Sequence, residues 1–396
     1  MNSTPPAGTR TWHILTGEYP PQLGGVSDYT ELLALELARA GERVQVWCPQ
    51  VEHATPAVNE IEIHRFPGFF SWRGWRAMGR GLSADTVRPI VLVQYVPNAF
   101  GWHGMNAPFC LWLVWRSRVR GDDVRVMFHE PFFYFGWRRF HRNVLALIQR
   151  LMAFLLLTAS RRTYLSTESW VRYLRPYAWL GRAPMVALPI PSTIPVLADP
   201  QAVCALRKRL TAGFDDACLV GHFGTYAETA VLRNVFTALL DRNTRVYALF
   251  LGKGGEALAA ELKNEFPALA GRIHAPGFLE RGEISLHLQA CDLMLQPYPD
   301  GVTTRRTSVM APLSHGVATL TMQGKLTEPL WKAYPQLPMA EADDGRTFLD
   351  LACNLLKDRS RLKDCGVSAR ALYEQHFSVA RTVESLRSNV PVTTKP

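Results

Sequence analysis

Short apolar segments alternate with longer amphipathic segments along almost the whole chain. This alternation predicts parallel β-strands joined by helices that cover both faces of a sheet. In residues 27–40 the leucines recur at helical spacing, so a helix is predicted there, with Ser27 or Asp28 as its cap and Gly41 at its end. The predicted strands are 12–16, 44–48, 61–65, 90–95, 124–129, 163–166, 185–189, 219–223, 246–251, 273–275, 293–296 and 318–321.

The αβ pattern stops and restarts once. Residues 189–195 read Pro-Ile-Pro-Ser-Thr-Ile-Pro, a composition typical of a linker. A helix near 199–210 opens the second series, further helices are predicted to start near Glu228, Gly255, Arg281 and Thr307, and helices over 344–357, 362–376 and 379–388 close the chain. The sequence therefore predicts two α/β domains, residues 1–195 and 196–377, each with its ligand-binding edge at the carboxyl ends of its strands.

Positive charge is concentrated in two segments of this 396-residue chain, whose formal net charge is +10. These segments are 116–125 and 138–162. The uninterrupted apolar run 151–159 is shorter than the roughly 20 residues that a membrane span needs, and Arg150 prevents a longer one. Two interpretations stay open: a helix that lies on an anionic membrane surface, or a core helix with solvated basic ends. No basic motif with interleaved aromatics is present, so nucleic acid is not a predicted partner.

The cysteine pattern bears on metals and on localisation. The seven cysteines are scattered, without a C-x-x-C pair. This spacing is unlike a zinc site or a disulfide framework and fits a reducing compartment. Since no charged-then-apolar leader begins the chain, we expect a cytoplasmic protein, with a peripheral position on the inner membrane face if the basic helix binds lipid.

Candidate functional residues follow the predicted strands of the first domain. The glycine pair precedes a helix, whose free amides favour an anion such as a phosphate, although glycine pairs also occur in ordinary tight turns. His129 suits hydrogen bonding to a sugar or proton transfer, or it is a core histidine whose partners are backbone groups. The candidates of this domain are Gly24, Gly25, Gln94, Tyr95, His129 and Glu130.

The second domain carries the larger set of candidates. Arg305 and Arg306 stand beside hydroxyl residues at a predicted helix start, and guanidinium groups match phosphate oxygens, although a solvated charge pair is the alternative. Asp300 is predicted to bind a substrate hydroxyl. The candidates are Gly224, Thr225, Lys253, Gly254, Gly277, Phe278, Tyr298, Asp300, Gly301, Thr303, Thr304, Arg305, Arg306, Thr307 and Ser308.

The order of these motifs resembles the two-Rossmann-domain (GT-B) glycosyltransferases, and most closely the retaining family 4, over about residues 12–388. The shared motifs are Gly-Gly-Val at 24–26, His-Glu at 129–130, Gly-Lys-Gly-Gly-Glu at 252–256, Gly-Phe-Leu at 277–279, Gln-Pro-Tyr-Pro-Asp-Gly at 296–301 and His-Gly at 315–316.

The resemblance implies two Rossmann-like domains that face each other across a cleft, with residues 378–396 packing back on the first. It implies a nucleotide-diphosphate sugar donor, bound mainly by the second domain, and a saccharide or lipid-linked acceptor on the first, where Gln94, Tyr95 and Glu130 are the expected acceptor-side residues. Gly24 and Gly25 would face phosphate or sugar, His129 would contact the donor sugar, and the backbone of Gly277 and Phe278 would touch the base. No cofactor and no metal are implied, and configuration is retained.

The sequence departs from the family at two places. The family carries an Arg and a Lys on the loop that here reads Gly-Thr-Tyr-Ala-Glu-Thr, residues 224–229. Of its two glutamates, the earlier corresponds to Asp300, and Ser308 or Ala311 occupies the place of the later one. Our hypothesis is that Arg305 and Arg306, with Lys253, supply the missing positive charge. A sugar-nucleotide epimerase and a non-catalytic nucleotide-sugar binder remain the alternatives.

Overall fold

The computed structural model describes residues 10–52, 61–85, 87–101, 103–136, 140–181, 183–226, 230–342 and 344–388. These residues form two compact α/β units. One unit extends to Pro189 and includes the chain from Val379 onward, and the other is Ile190–Ser378. The predicted boundary at residue 195 thus lies six residues beyond the last residue of the first unit's main segment.

The first unit contains a seven-stranded parallel sheet in the order β3-β2-β1-β4-β5-β6-β7. Every residue of β1 and of β4 is buried, since helices cover both faces of the sheet. Its elements are β1 (Thr11–Thr16), α1 (Gly25–Arg39), β2 (Arg43–Pro49), β3 (Glu62–Phe66), α2 (Trp72–Leu82), β4 (Ile90–Tyr95), α3 (Ala107–Trp115), β5 (Asp123–Phe128), α4 (Phe140–Ala159), β6 (Arg162–Leu165), α5 (Trp170–Leu174) and β7 (Met185–Ala187).

The second unit contains a six-stranded parallel sheet in the order β10-β9-β8-β11-β12-β13. A core of apolar side chains from β8, β9, β11, α7, α8 and α12 covers one of its faces. Its elements are α6 (Pro200–Leu210), β8 (Cys218–Phe223), α7 (Ala230–Arg242), β9 (Val246–Leu251), α8 (Gly255–Glu265), β10 (Ile273–His274), α9 (Arg281–Ala290), β11 (Leu293–Gln296), α10 (Thr307–Ser314), β12 (Ala318–Gln323), α11 (Pro329–Lys332), β13 (Met339–Glu341), α12 (Gly345–Leu356) and α13 (Arg359–His376).

A last helix, α14 (Val379–Arg387), returns to the first unit and packs against α1. Arg387 Nε lies 2.7 Å from Glu42 Oε1, and Arg125 Nη1 donates to the carbonyl oxygen of Leu386 at 2.6 Å. The predicted return of the C-terminal segment is confirmed for this helix. Residues 389–396 of that segment lie outside the described residues.

One strand, β13, was not predicted, and the predicted cap of α1 was wrong. Strand β13 has only three residues, Met-Ala-Glu, and this edge segment lacks the apolar run that indicates a strand. Helix α1 begins at Gly25 with Gly24 as its cap and without a side-chain cap from Ser27 or Asp28. Gly41 takes a positive φ of 86° directly after the helix, as its predicted role requires. The predicted start of α7 at Glu228 falls outside the described residues.

Candidate functional site

The carboxyl ends of β8 and β9 are in backbone contact. A Cβ atom on Gly252, which follows β9, would lie 2.3 Å from the carbonyl oxygen of Gly224, which follows β8. Gly252 also has a φ of +100°, so only glycine fits this position without strain. These two loops therefore form one surface at the edge where ligands bind in sheets of this kind.

Helix α10 begins against this surface. A Cβ atom on Gly224 would lie 3.3 Å from Cβ of Ser308, in the first turn of α10. The Ser308 and Tyr298 hydroxyls are 2.7 Å apart, and the Tyr298 hydroxyl donates to Gln296 Oε1 at 3.3 Å. Burial raises the pKa of Tyr298 to about 12, so its phenol is neutral. Strand β11 therefore fixes the start of α10 beside Gly224.

Arg306 places a cation at the same helix start. It is the N-terminal cap residue of α10, and its guanidinium carbon lies 4.9 Å from the centre of the Tyr298 ring. Arg305 and Arg306 are both half-buried. A guanidinium held by an aromatic ring beside a helix N-terminus suits an anionic ligand. The structure thus brings together Gly224, Tyr298, Arg306 and Ser308 of the predicted set.

Thr304 and Gly301 were predicted to bind the nucleotide sugar, but in the structure both make contacts within the protein. The Thr304 amide and hydroxyl donate to Glu328 Oε1 at 3.1 and 2.7 Å, and Trp331 Nε1 donates to Glu328 Oε2 at 2.9 Å, all in the interior. Gly301 has a φ of +89°, and a Cβ atom there would lie 2.3 Å from the amide nitrogen of Gly324. Glu328 belongs to no motif, so sequence reasoning missed it.

The remaining predicted residues of the second unit have exposed or partly exposed positions. Lys253 and Thr225 are exposed, Thr307 is half-buried, and Phe278 is 76% exposed. Asp300 is half-buried, and its Oδ1 lies 2.7 Å from Lys325 Nζ. These side chains are accessible to a ligand, and their predicted contacts stay predictions.

Gly254, Gly277 and Thr303 are the last predicted residues at the carboxyl edge of the second unit, and each is closely packed or buried. A Cβ atom on Gly277 would lie 2.8 Å from Glu256 Oε1, and one on Gly254, the cap of α8, would lie 3.2 Å from Tyr226 Cβ. Thr303 is buried in the segment that leads to α10. The loops after β9 and β10 thus lie beside each other, as the sheet order requires.

His222, in β8, is a residue that the sequence reasoning missed. Its Nδ1 donates to the carbonyl oxygen of Leu295 at 2.7 Å, and burial lowers its pKa to about 4. The ring is therefore neutral, with its lone pair on Nε2. This nitrogen is buried, has no hydrogen-bond partner among the described residues, and lies 3.7 Å from where a Cβ on Gly224 would be.

In the first unit, the glycine loop is not a free anion site. The start of α1 is bonded to the Glu18 carboxylate, whose Oε1 accepts from the Ser27 amide at 3.3 Å, and the amide of Val26 bonds to it too. A Cβ atom on Gly24 would lie 2.8 Å from the same oxygen. Helix amides that already bind a carboxylate cannot also bind a phosphate. A Cβ atom on Gly25 would meet no atom within 4 Å. Burial raises the pKa of the Glu18 carboxyl above its ordinary value.

Gln94 and His129 form a buried pair at the ends of β4 and β5. His129 Nε2 donates to Gln94 Oε1 at 2.8 Å, and the carbonyl oxygen of His129 accepts from Trp170 Nε1. Burial lowers the pKa of His129 to about 3, which suits a neutral hydrogen-bonding imidazole and not proton transfer near neutral pH. Gln94 is fully buried, so it positions His129 and has no surface for an acceptor.

Tyr95 and Glu130 lie beside this pair in the sequence and differ in environment. The Tyr95 ring packs edge-on against Phe100 and Phe128 at 5.2 Å, inside the core. A buried phenol has no surface for an acceptor, so Tyr95 is a packing residue in place of the predicted ligand contact. Glu130 is half-buried at the edge of the sheet, and its acceptor contact stays a prediction.

Replacing Gln94 tests the neutral state of His129. Because the native pKa is about 3 and the ordinary value 6.5, the unfolded state binds more protons between these values. The stability that neutral His129 contributes is therefore fully present above pH 6.5, the ordinary pKa of histidine. It falls as the pH decreases from 6.5 to about 3. In Gln94→Glu we expect the added carboxylate to raise the folded-state pKa of His129 towards 6.5 and so to make this loss of stability at acid pH smaller, whereas Gln94→Leu leaves Nε2 unpaired and costs about 1–3 kcal/mol. Chemical denaturation across pH measures both; identical curves for parent and Gln94→Glu contradict the assignment.

The comparisons with known proteins concern the fold. Neither a protein-family model nor a curated protein matches the chain. Solved structures match over nearly its whole length. Sucrose-phosphate synthase from Thermosynechococcus elongatus has a TM-score of 0.68 and 13% identity, with 95% of this chain and 97% of that chain covered. The chain has the GT-B fold.

Two further solved structures of similar fold contain a bound nucleotide or nucleotide sugar. Anabaena HepE in complex with UDP and glucose has a TM-score of 0.65 and 12% identity, over 95% of this chain and 98% of that chain. The Escherichia coli trehalose-6-phosphate protein bound with UDP-2-fluoro glucose has a TM-score of 0.62 and 11% identity, with the same two coverages. The GT-B architecture expected from the motif order is thereby confirmed for both units.

Proposed function

We propose that the chain is a retaining glycosyltransferase that moves a sugar from a nucleoside-diphosphate donor to an acceptor hydroxyl. The observation that carries the proposal is the carboxyl edge of the second unit, where the loops at Gly224 and Gly252 pack closely together and the start of α10, capped by Arg306, lies against Gly224. The GT-B fold, and the UDP bound in HepE, support a nucleotide donor there.

The chemistry of the second unit fits a departing diphosphate. Glycosyl transfer leaves negative charge on the phosphate oxygens, and preorganised donors stabilise that charge in the transition state. We assign this role to Arg306 and Arg305 at the start of α10, with Lys253 on the neighbouring loop. These cations would replace the Arg and Lys that the resembling family carries after β8, and the proposal needs no divalent metal.

We assign the acceptor to the carboxyl edge of the first unit. Glu130 offers a half-buried carboxylate to the acceptor, and neutral His129 keeps its predicted contact with the donor sugar, a hydrogen bond without proton exchange. Such groups act by positioning the substrates, which supplies a large share of the rate in a two-substrate transfer. We propose a saccharide or a lipid-linked saccharide as the acceptor, with a role in polysaccharide or glycolipid synthesis.

A donor and acceptor panel tests the proposal. Purified protein is incubated with UDP-, GDP-, ADP- and dTDP-sugars, with and without saccharide or lipid-linked acceptors, in the presence and absence of EDTA. We expect acceptor-dependent release of nucleoside diphosphate, insensitivity to EDTA, and a product whose anomeric configuration by NMR matches the donor. A converted sugar nucleotide formed without acceptor would instead identify an epimerase.

A nucleotide-sugar binder without transferase activity is the second candidate. The observation that favours it lies in the sequence: residues 224–229 contain no Arg or Lys, and Ser308 or Ala311 stands where the resembling family has its second glutamate. Tight binding of one nucleotide sugar together with no turnover across the whole acceptor panel would favour this candidate over the transferase.

A further inference from the structure

One surface of the first unit exposes apolar side chains from three neighbouring segments. Helix α3 packs against α4, and the amide of Asn106, the cap of α3, lies 3.2 Å from Met152 Sδ in α4. The Trp179 ring stacks on Phe154 of α4 at 5.4 Å. The exposed apolar residues of this region, here called the α3–α4 surface, are Leu111, Trp115, Val119, Val144, Leu147, Leu151, Trp179 and Leu180.

The exposed residues follow helical spacing, so each helix presents a continuous apolar stripe. Leu147 and Leu151 are one turn apart on α4 and are 62% and 49% exposed. On α3, Leu111 and Trp115 have the same spacing, and Val119 continues the stripe into the π-helical turn Arg116–Arg120. Contiguous exposed apolar patches on a folded unit indicate an interaction surface.

Arginine surrounds this surface. Residues 101–181 contain twelve arginines, four acidic residues and no lysine. Two of the acids are engaged internally, since Asp122 pairs with Arg116 at 2.5 Å and Asp123 with Arg125 at 2.9 Å. Among the described residues of this range, the exposed arginines are Arg118, Arg120, Arg142, Arg161, Arg172 and Arg175.

Two hydrogen bonds of Arg118 hold its positive charge beside the apolar stripe. Arg118 donates to the carbonyl oxygens of Thr158, at the end of α4, and Leu180, at 2.7 and 3.5 Å. Arg150, which the sequence placed within the basic helix, is half-buried: its guanidinium lies 4.2 Å from the centre of the buried Phe132 ring and donates to the carbonyl oxygen of Phe133 at 2.9 Å. The positive charge therefore comes mainly from the turn after α3 and from residues beyond α4.

The topology restricts what can cover α4. Among the described residues, Arg142–Ala159 is the one helical window long and apolar enough to cross a membrane, and only 39% of it is buried. However, α4 connects β5 to β6, which are adjacent parallel strands of one sheet. Both ends of the helix are held at that sheet, so α4 can lie on a bilayer but cannot pass through it.

We propose that the α3–α4 surface docks on an anionic lipid bilayer, with the apolar stripes and tryptophans at the acyl boundary and the arginines on lipid phosphates. A helix at a membrane interface buries its apolar side chains at the acyl boundary and holds basic side chains near the lipid headgroups. Anionic headgroups would attract the arginines of this surface. The excess of arginine favours a bilayer over a second copy of this chain, whose own surface would repel it. The proposal is independent of the donor chemistry.

Flotation with vesicles tests it. The full chain is mixed with phosphatidylcholine vesicles, with and without phosphatidylglycerol, and with brominated lipids that quench tryptophan. We expect flotation that requires phosphatidylglycerol and weakens with salt. Arg120→Gln with Arg142→Gln should weaken partitioning about thirtyfold, from the contribution of two basic residues near an anionic surface. Trp115→Ser with Trp179→Ser should weaken flotation at least about tenfold and remove bromine quenching.

Matched variants of exposed residues on the second unit serve as controls. Val367→Ser removes an exposed apolar side chain and Arg346→Gln an exposed charge, and both should float like the parent. Equal unfolding temperatures of all variants establish that the double variants fold. The proposal is overturned if the parent does not float with anionic vesicles, if the double variants float equally well, or if a lipid-free dimer forms that Trp115→Ser with Trp179→Ser dissociates.

Discussion

Arg306→Ala is expected to lower kcat/KM for the nucleotide sugar about a hundredfold, the usual effect of losing one preorganised charge contact in the transition state. The guanidinium is half-buried at the start of α10 and is held 4.9 Å from the Tyr298 ring centre. No Arg or Lys is present in residues 224–229 to compensate for it. Steady-state kinetics with the donor identified by the panel measures the effect.

The controls for this variant separate charge from geometry. Arg306→Lys keeps the charge and loses the planar fork, so we expect an intermediate rate. Arg305→Ala should also lose turnover, whereas Arg346→Ala, at an exposed position in α12 of the same unit, should not. Near-parental rates in both Arg305→Ala and Arg306→Ala would contradict the charge replacement on which the donor assignment rests.

Glu328→Ala is expected to lower the free energy of unfolding by about 3 kcal/mol, since it leaves several buried donors unpaired. The Glu328 carboxylate accepts from the amide and hydroxyl of Thr304 and from Trp331 Nε1, and it is 3% exposed. Because Thr304 lies two residues before Arg306, we also expect weaker donor binding. Urea denaturation measures the first effect and calorimetry the second.

Two milder variants check that the loss comes from the unpaired donors. Glu328→Gln keeps one acceptor oxygen and should retain part of the stability. Thr304→Val removes only the hydroxyl, so its cost should be about 1 kcal/mol. If Glu328→Ala unfolds at the parental urea concentration, the carboxylate does not hold the segment that leads to α10.

Much of the fold was accessible from the sequence, because a parallel sheet covered on both faces needs apolar runs separated by helices. The runs at 90–95, 246–251 and 293–296 match β4, β9 and β11 residue for residue. The carboxyl ends of parallel strands meet at the same edge of a sheet. The sequence therefore also indicated which loop residues lie together in the second unit. Gly224, Arg306 and Ser308, which were predicted to lie at this edge, do lie close together in the structure.

The remaining features depend on contacts distant in sequence, or on which way a strand residue faces. Glu18 caps α1 from nine residues before Ser27, and Glu328 binds Thr304 from 24 residues away, so no local pattern signals either. Tyr95 lies in the core although it is the last residue of β4, at the carboxyl edge of the sheet. A strand buried on both faces shows no alternation of apolar and polar residues, so the direction of Tyr95 could not be predicted.

We propose above that the carboxyl edge of the second unit binds a nucleoside diphosphate through the start of α10. The most direct measurement is thermal unfolding of the parent and Arg306→Ala with UDP, GDP, ADP and dTDP. At a hundred times its dissociation constant, the right nucleotide should stabilise the parent by about 2.7 kcal/mol, whereas Arg306→Ala should gain much less at the same concentration. Equal stabilisation of parent and variant, or none by any nucleotide, would contradict the account.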